Sequence, residues 1–230
     1  MTALTKLTLS SLMIFLLSGE PSISVLTSKS AALISKDITT RNGRDNKLFV
    51  FVGEKIEISP IPYTPGAFDG GVKAKYLVLQ RVYGHYDKDT IEFEAYSHAR
   101  RFSFTDYKNV LLYVSEYNGK LYQEKYLYDP VFKTKDGRWA GPYSNDYHHS
   151  NNEHTTIKPE KIEFAEEASL PLKNIDAKDY SVVYPAPYFK IAGDKAIAVY
   201  GNFVPELFKL KKDGVLTARG LFGNKKEPGN

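Results

Sequence analysis

Leu48, Val50, Val52, Ile56 and Ile58 recur in LFVFVGEKIEI (48–58) with the period of two that a pleated strand imposes, and they predict one apolar face. Gly53 interrupts the run as a bulge or sharp bend does. Pro60, Pro62 and Pro65 close the strand, and a loop carrying Gly66, Gly70 and Gly71 follows, with no special backbone demand expected at Gly70. AKYLVLQRVY (74–83) is apolar on both faces in its middle, and Gly84 to Asp89 reads as a turn. TIEFEAY (90–96) alternates cleanly: Ile91, Phe93 and Ala95 fall on one face and Thr90, Glu92 and Glu94 on the other, as in a half-exposed antiparallel strand. The polar and aromatic stretch 97–109 has room for one helical turn. VLLYVSEY (110–117) is the most apolar strand. Asn118-Gly119 separates it from KLYQEKYLY (120–128), and both residues accept the positive φ of a type I′ hairpin turn. Together these runs predict a curved antiparallel sheet of five strands with Val50, Val52, Val78, Ile91, Phe93, Leu112 and Val114 in its core.

A second hairpin is expected around Asp136-Gly137, with Val131 to Thr134 leading to Arg138-Trp139. Residues 141–160 are polar and read as a linker or long loop. Beyond them SVVY (181–184) is bounded by Pro185 and Pro187. YFKIA (188–192) and KAIAVY (195–200) flank Gly193-Asp194, a two-residue turn of the type II′ kind. VPELFKLKKDG (204–214) fits a short helix with Pro205 in its first turn and Gly214 as its stop, and fits equally a strand ending in an Asp213-Gly214 turn. VLTARGLF (215–222) is expected as a final strand. The fold class is therefore mainly β, with a smaller β-rich C-terminal region over 161–230.

The N-terminus changes the picture of where such a protein works. Lys6 precedes an apolar run, Leu7 to Leu17. Ser18, Gly19, Glu20 and Pro21 break it, and Ser22-Ile23-Ser24 offers small residues for cleavage. This order predicts an export signal over 1–24; the competing reading is a buried N-terminal helix. The run is short for a bilayer, so no stable membrane anchor is expected after cleavage. Residues 25–47 read as a linker, in which Leu33 to Ile38 has room for one short strand. The chain has no cysteine, which excludes disulfides, thiolate metal sites, cysteine nucleophiles and a lipoprotein anchor. An exported protein held by packing alone suits a bacterial periplasm or exterior. Hydrophobic residues make up 42% of the chain, enough for a sizeable core, and 17 Tyr and 13 Phe tilt it towards strands. The net charge of +4 is spread without a basic block, so nucleic acid is not expected as a partner.

Three stretches resemble the netrin-module and tissue-inhibitor-of-metalloproteinases type of OB-fold. FVFVGEKIEI is similar to its opening strand with a bend at glycine. AKYLVLQRVYGHYDKDTIEFEAY is similar to its second and third strands, and FTDYKNVLLYVSE to its fourth strand with its lead-in. The resemblance lies within 48–128 and implies an OB-like barrel, placed here at 48–140. The inhibitory members of that superfamily use an N-terminal cysteine and several disulfides, so inhibition of metalloproteinases is not carried over. The rest of the chain is similar to uncharacterised bacterial secreted proteins, which implies no activity.

Candidate chemistry is sparse. Of His85, His98, His148, His149 and His154, the last three lie with Asp146 and Glu153 in the one stretch with metal-ligating residue types, in an Asn/Ser-rich loop whose spacing matches no zinc motif. The competing reading is a solvated loop. No G-x-S-x-G, H-E-x-x-H, S-x-x-K or phosphate loop occurs. Glu92 and Glu94 share a strand face and read either as paired carboxylates or as a solvent face. Tyr113, Tyr117, Tyr122, Tyr126 and Tyr128 lie on the two strands of the Asn-Gly hairpin, and Tyr122, Tyr126 and Tyr128 share a parity. Such a row suits a glycan or peptide, or simply stabilises the sheet by cross-strand pairs. The leading expectation is an exported binding protein without catalysis or cofactor, whose partner is a protein or glycan of the envelope or exterior. The alternatives are an envelope hydrolase or metal enzyme using 146–154, and an OB-fold nucleic-acid binder, against which the export signal argues.

Overall fold

Among the described residues five long strands span 48–130: β1 (Leu48–Ile61), β2 (Gly70–Tyr83), β3 (Thr90–Ser97), β4 (Asn109–Tyr117) and β5 (Lys120–Pro130). In this computed structural model they close into a ring in the order β1-β2-β3-β5-β4, with β4 returning to β1. The structure describes residues 47–62, 65, 66, 68–173 and 175–222. The expected export signal, most of the linker and the strand at 33–38 lie outside them. The ring is mixed, not antiparallel as expected. β3 and β5 run parallel and meet at a single pair, Glu94 with Tyr122, while the other neighbours are antiparallel.

The ring is filled by Phe51, Tyr76, Ile91, Phe93, Val110, Leu112 and Val114, with Phe104 entering from the short helical turn Ser103–Asp106. Val78 packs against this cluster half-buried. Val50 and Val52, expected inside, are buried on the other face of β1, with Leu48, Leu111 and Tyr113. The reason is that β1 and β4 are covered on both sides, so both parities are apolar. Ile56 is 51% exposed. It is skipped where Lys55 pairs with Tyr76 and Glu57 with Lys75, and this bulge reverses the facing of every later residue. Gly70 and Gly71 open β2 rather than belonging to a loop. As expected, Gly70 carries no positive φ, and a Cβ there meets only the exposed Arg100 side chain, whose Cγ lies 2.8 Å away. The Asn118-Gly119 turn is as expected: the two φ angles are 51° and 74°, and Tyr117 pairs with Lys120.

The second half carries seven short strands in two small sheets. β6 (Phe132–Lys133), β7 (Trp139–Pro142), β12 (Tyr200–Phe203) and β8 (Glu160–Lys161) form one; β10 (Phe189–Ala192), β11 (Lys195–Ala198) and β9 (Ser169–Pro171) form the other. The Asp136-Gly137 hairpin is present, with Gly137 N–H donating to the Thr134 carbonyl. Gly193 has φ 58° in the turn joining β10 to β11. A four-residue helix α1 (Tyr180–Val183) precedes Tyr184. Helix α2 (Val204–Lys211) settles the helix-or-strand choice. Pro205 lies where its missing N–H costs nothing. Val204 and Leu207 pack against the outer side of β1 and β4 and Leu210 is buried as well, each large side chain contributing about 1.5–3 kcal/mol.

The helix does not stop at Gly214. It passes through a kinked turn there (φ −84°, ψ −107°) and continues, so the strand expected at 215–222 is replaced by a helical turn that buries Leu216. Residues 141–160 are folded against this region. A Cβ at Gly214 lies 2.9 Å from Asn152 Nδ2, and that buried amide donates to the carbonyls of Asp146 (2.8 Å) and Leu210 (3.0 Å). Tyr147 and Tyr188 both stack on Tyr143, at 5.4 and 4.1 Å, and Tyr147 donates to Asn202 Oδ1 at 2.6 Å.

Candidate functional site

A cleft of about 500 Å³ opens where the parallel strands β3 and β5 part. Its walls are Thr90, Glu92, Phe93 and Glu94 of β3 and Gly119, Lys120 and Leu121 at the hairpin tip, with Lys73, Tyr86 and Lys88 around them. This volume lies within the range of ligand sites. The alternation of β3 aims Phe93 into the core and leaves Glu92 and Glu94 on the outside. Both carboxylates are engaged. Glu92 lies 3.0 Å from Lys75, whose hydrogen bond and charge hold it below the usual carboxylate range. Glu94 accepts the Tyr96 hydroxyl at 2.8 Å, and burial together with that bond pushes Tyr96 up to about 12. The ammonium groups of Lys73, Lys88 and Lys120 have no hydrogen bond or ion pair among the described residues. The lysines of the cleft outnumber its two acids, of which Glu92 is paired with Lys75 and also feels Lys73 and Lys88, so the cleft carries a net positive charge.

The tyrosines picked out by parity do not form a row. Opposite Tyr113, β5 inserts several residues: Val114 pairs with Gln123 and Leu112 with Tyr128. Tyr126 sits in this bulge at φ 67° and is 59% exposed. Tyr128 packs on the ring core beside Phe104 and Tyr107. Tyr122 lies against Tyr96 next to the cleft, with ring centroids 6.3 Å apart.

The histidines are likewise separate. His148 Nε2 lies 3.2 Å from the Tyr143 hydroxyl, His149 Nδ1 accepts the Asn151 backbone N–H, and His154 is exposed. Among the described residues no three His, Asp or Glu side chains are grouped to hold a metal ion. His98 Nδ1 meets Asp69 at 3.0 Å, and His85 meets Asp87 at 2.8 Å, both at the surface.

Asp146 belongs to a different cluster. Lys211 of α2 places Nζ 2.6 Å from Asp146 Oδ2 and 3.1 Å from Asp129 Oδ1, and the Tyr113 hydroxyl donates to Asp129 Oδ2. Burial pushes the Asp129 carboxyl up to about 6, against the opposing pull of Lys211. Burial alone lowers Lys211, but the two carboxylates more than offset it and leave its affinity for the proton above the ordinary value. Burial, with Asp129 beside it, pushes Tyr113 well up. This assembly joins the ring to α2 and faces no described cleft, so it holds structure. Sequence reading did not find it. Its one signal is a lysine four residues after Leu207, on the apolar stripe of α2. No protein-family model, curated protein or solved structure matches this chain.

Proposed function

We propose that the chain is an exported, non-catalytic binding protein of the periplasm or exterior, built on an OB-type barrel, with its ligand site in the cleft between β3 and β5. The observation that carries this reading is the cleft itself, where three lysines without an ion pair among the described residues outnumber two acids, one of them paired with Lys75. The five-strand ring and the position of the cleft, beside β2, β3 and the β4–β5 turn, support the OB-type assignment, because folds of this type bind ligands on that face. The apolar segment Leu7–Leu17 behind Lys6 supports export.

Capture from an envelope extract tests the site, with the chain, a Lys88→Glu/Lys120→Glu variant and a Lys190→Glu control as baits. Lys190 is exposed on β10, away from the cleft residues. The expected result is a partner retained by the chain and the control and lost by the cleft variant. A partner held equally by all three overturns the site. Cell fractionation with intact-mass measurement tests export; a cytoplasmic product still carrying Met1 overturns it.

A further inference from the structure

Resting on that site, we infer that the cleft receives an extended polypeptide of alternating acidic and apolar residues, which adds as a strand along the open edge of β3. β3 pairs with β2 over its whole length, from Leu77 with Thr90 to Gly70 with Ser97. On its other side it has one partner, Tyr122 at Glu94. The edge from Thr90 to Phe93 therefore borders the cleft instead of a strand, with the Thr90 N–H and both backbone groups of Glu92 turned to it and the Thr90 carbonyl accepting the Tyr86 hydroxyl, and Lys120-Leu121 of β5 borders it opposite. An unpaired strand edge offers backbone donors and acceptors in a fixed row, which an incoming chain satisfies by main-chain pairing. The open stretch is about 13 Å long at the rise of a strand, which suits about four residues.

The side chains of the added strand follow from the pleat. Those facing inward meet Leu121, Phe93 and Tyr86, which are half-buried or buried on the ring core. Those facing outward lie among Lys73, Lys88 and Lys120, which together with Lys75 outnumber Glu92 and Glu94 and give this side a net positive charge. Acidic residues are the complement on that side. A single-stranded nucleic acid needs exposed rings for its bases. The two rings of this cleft are Phe93, which is buried, and Tyr86, which is half-buried and donates its hydroxyl to the Thr90 carbonyl.

The test titrates a fluorescent hexapeptide of alternating Asp and Val into the chain, beside the same peptide N-methylated at alternate amides, an oligothymidine and a sulfated glycan. The expected result is binding of the unmodified peptide, weakened about tenfold or more by N-methylation, because two or three main-chain bonds are lost. Lys88→Glu/Lys120→Glu weakens it at least as much, Lys190→Glu leaves it unchanged, and exchange of the Thr90 and Glu92 amides, which face the cleft, slows on binding. Equal binding of the methylated peptide overturns strand addition. So does binding of the oligonucleotide or glycan in place of the peptide, and in both cases sensitivity to the lysine variants leaves the cleft as the site. If no probe binds, or none responds to the cleft lysines, the peptide inference and the site fall together.

Discussion

Replacing Lys211 by Met removes the one cation that, among the described residues, pairs with Asp129 and Asp146. The Lys211 and Asp129 side chains are 8% and 7% exposed, and that of Asp146 is 18% exposed. Met keeps most of the stem, so packing is largely preserved and the loss is electrostatic. Breaking a buried pair by deleting one partner costs about 3–5 kcal/mol, a large part of the stability of an ordinary domain. The cost depends on pH in a direction that Asp129 fixes. Its folded value of about 6 lies above its ordinary 3.8, because burial disfavours the charged form. The stability it contributes is therefore fully present below pH 3.8 and is lost as pH rises through 6. At about 1.4 kcal/mol per unit the effect has a ceiling of about 3 kcal/mol. Lys211→Met should thus be much more damaging at pH 7.5 than at pH 5, where one of the two carboxylates is neutral. Asp129→Asn leaves an acceptor for Tyr113 and removes the titrating group, so it should flatten the difference between the two pH values. Urea midpoints at pH 5 and 7.5 for the three proteins measure this. A midpoint of Lys211→Met equal to that of the parent at pH 7.5 refutes the reasoning. So does an Asp129→Asn variant that keeps the full pH difference of the parent.

Phe93→Ala should cost about 3–5 kcal/mol and lower the melting temperature sharply, since the ring fills the core between Tyr76 and Phe104; an unchanged melting temperature contradicts its placement. Gly119→Val should cost about 1–3 kcal/mol although a Cβ there touches nothing within 4 Å, because φ is 74°; Gly119→Asn should cost less, and equal costs count against a conformational origin. Tyr126→Gly should leave stability unchanged or raise it by about 1 kcal/mol, since an exposed side chain at φ 67° is strained; a clear loss in urea midpoint shows that the tyrosine ring has a role in packing. Gly201→Ala should destabilise by about 1–3 kcal/mol or more, because its Cβ would lie 2.0 Å from the Gly141 carbonyl oxygen, and amide exchange should rise first along β7 and β12.

What the sequence makes legible follows from how many faces of an element are covered. TIEFEAY alternates because one face of β3 is wet, and its buried set was readable residue by residue. LFVFV at 48–52 shows apolar residues on both parities. Reading only Leu48, Val50 and Val52 as the inner face overlooked Phe49 and Phe51, and Phe51 is the residue that enters the ring. A run that is apolar throughout signals a strand covered twice, here by the ring core and by α2. The turns at 118–119, 136–137 and 193–194 were legible because glycine at positive φ is a local requirement. Lys211 and its acids were not legible as a unit: Asp146 is 65 residues away along the chain, and nothing local in either segment specifies the meeting.

The bulge in β5 explains why the cleft was missed and why it exists. Parity carried through 120–128 puts Tyr122, Tyr126 and Tyr128 on one face, yet Glu124 to Leu127 loop out opposite Tyr113 without a glycine to announce it. The loop is held by long-range bonds instead. Gln123 donates across it to the Leu127 carbonyl, Ser115 donates to Glu124, Lys125 pairs with Asp69, and Arg219 reaches both Glu124 and the Lys125 carbonyl. It divides β5 into two arms with different work. The second arm turns Leu127 and Asp129 towards α2, where they join the outer cluster and the lysine. The first arm carries the hairpin tip and pairs with β3 only at Tyr122. A regular β5 in register with β4 throughout would carry one parity along its whole length, so these two tasks would compete for the same face. By separating them, the bulge lets the ring close on α2 at one end of β5 while the edge of β3 stays open at the other.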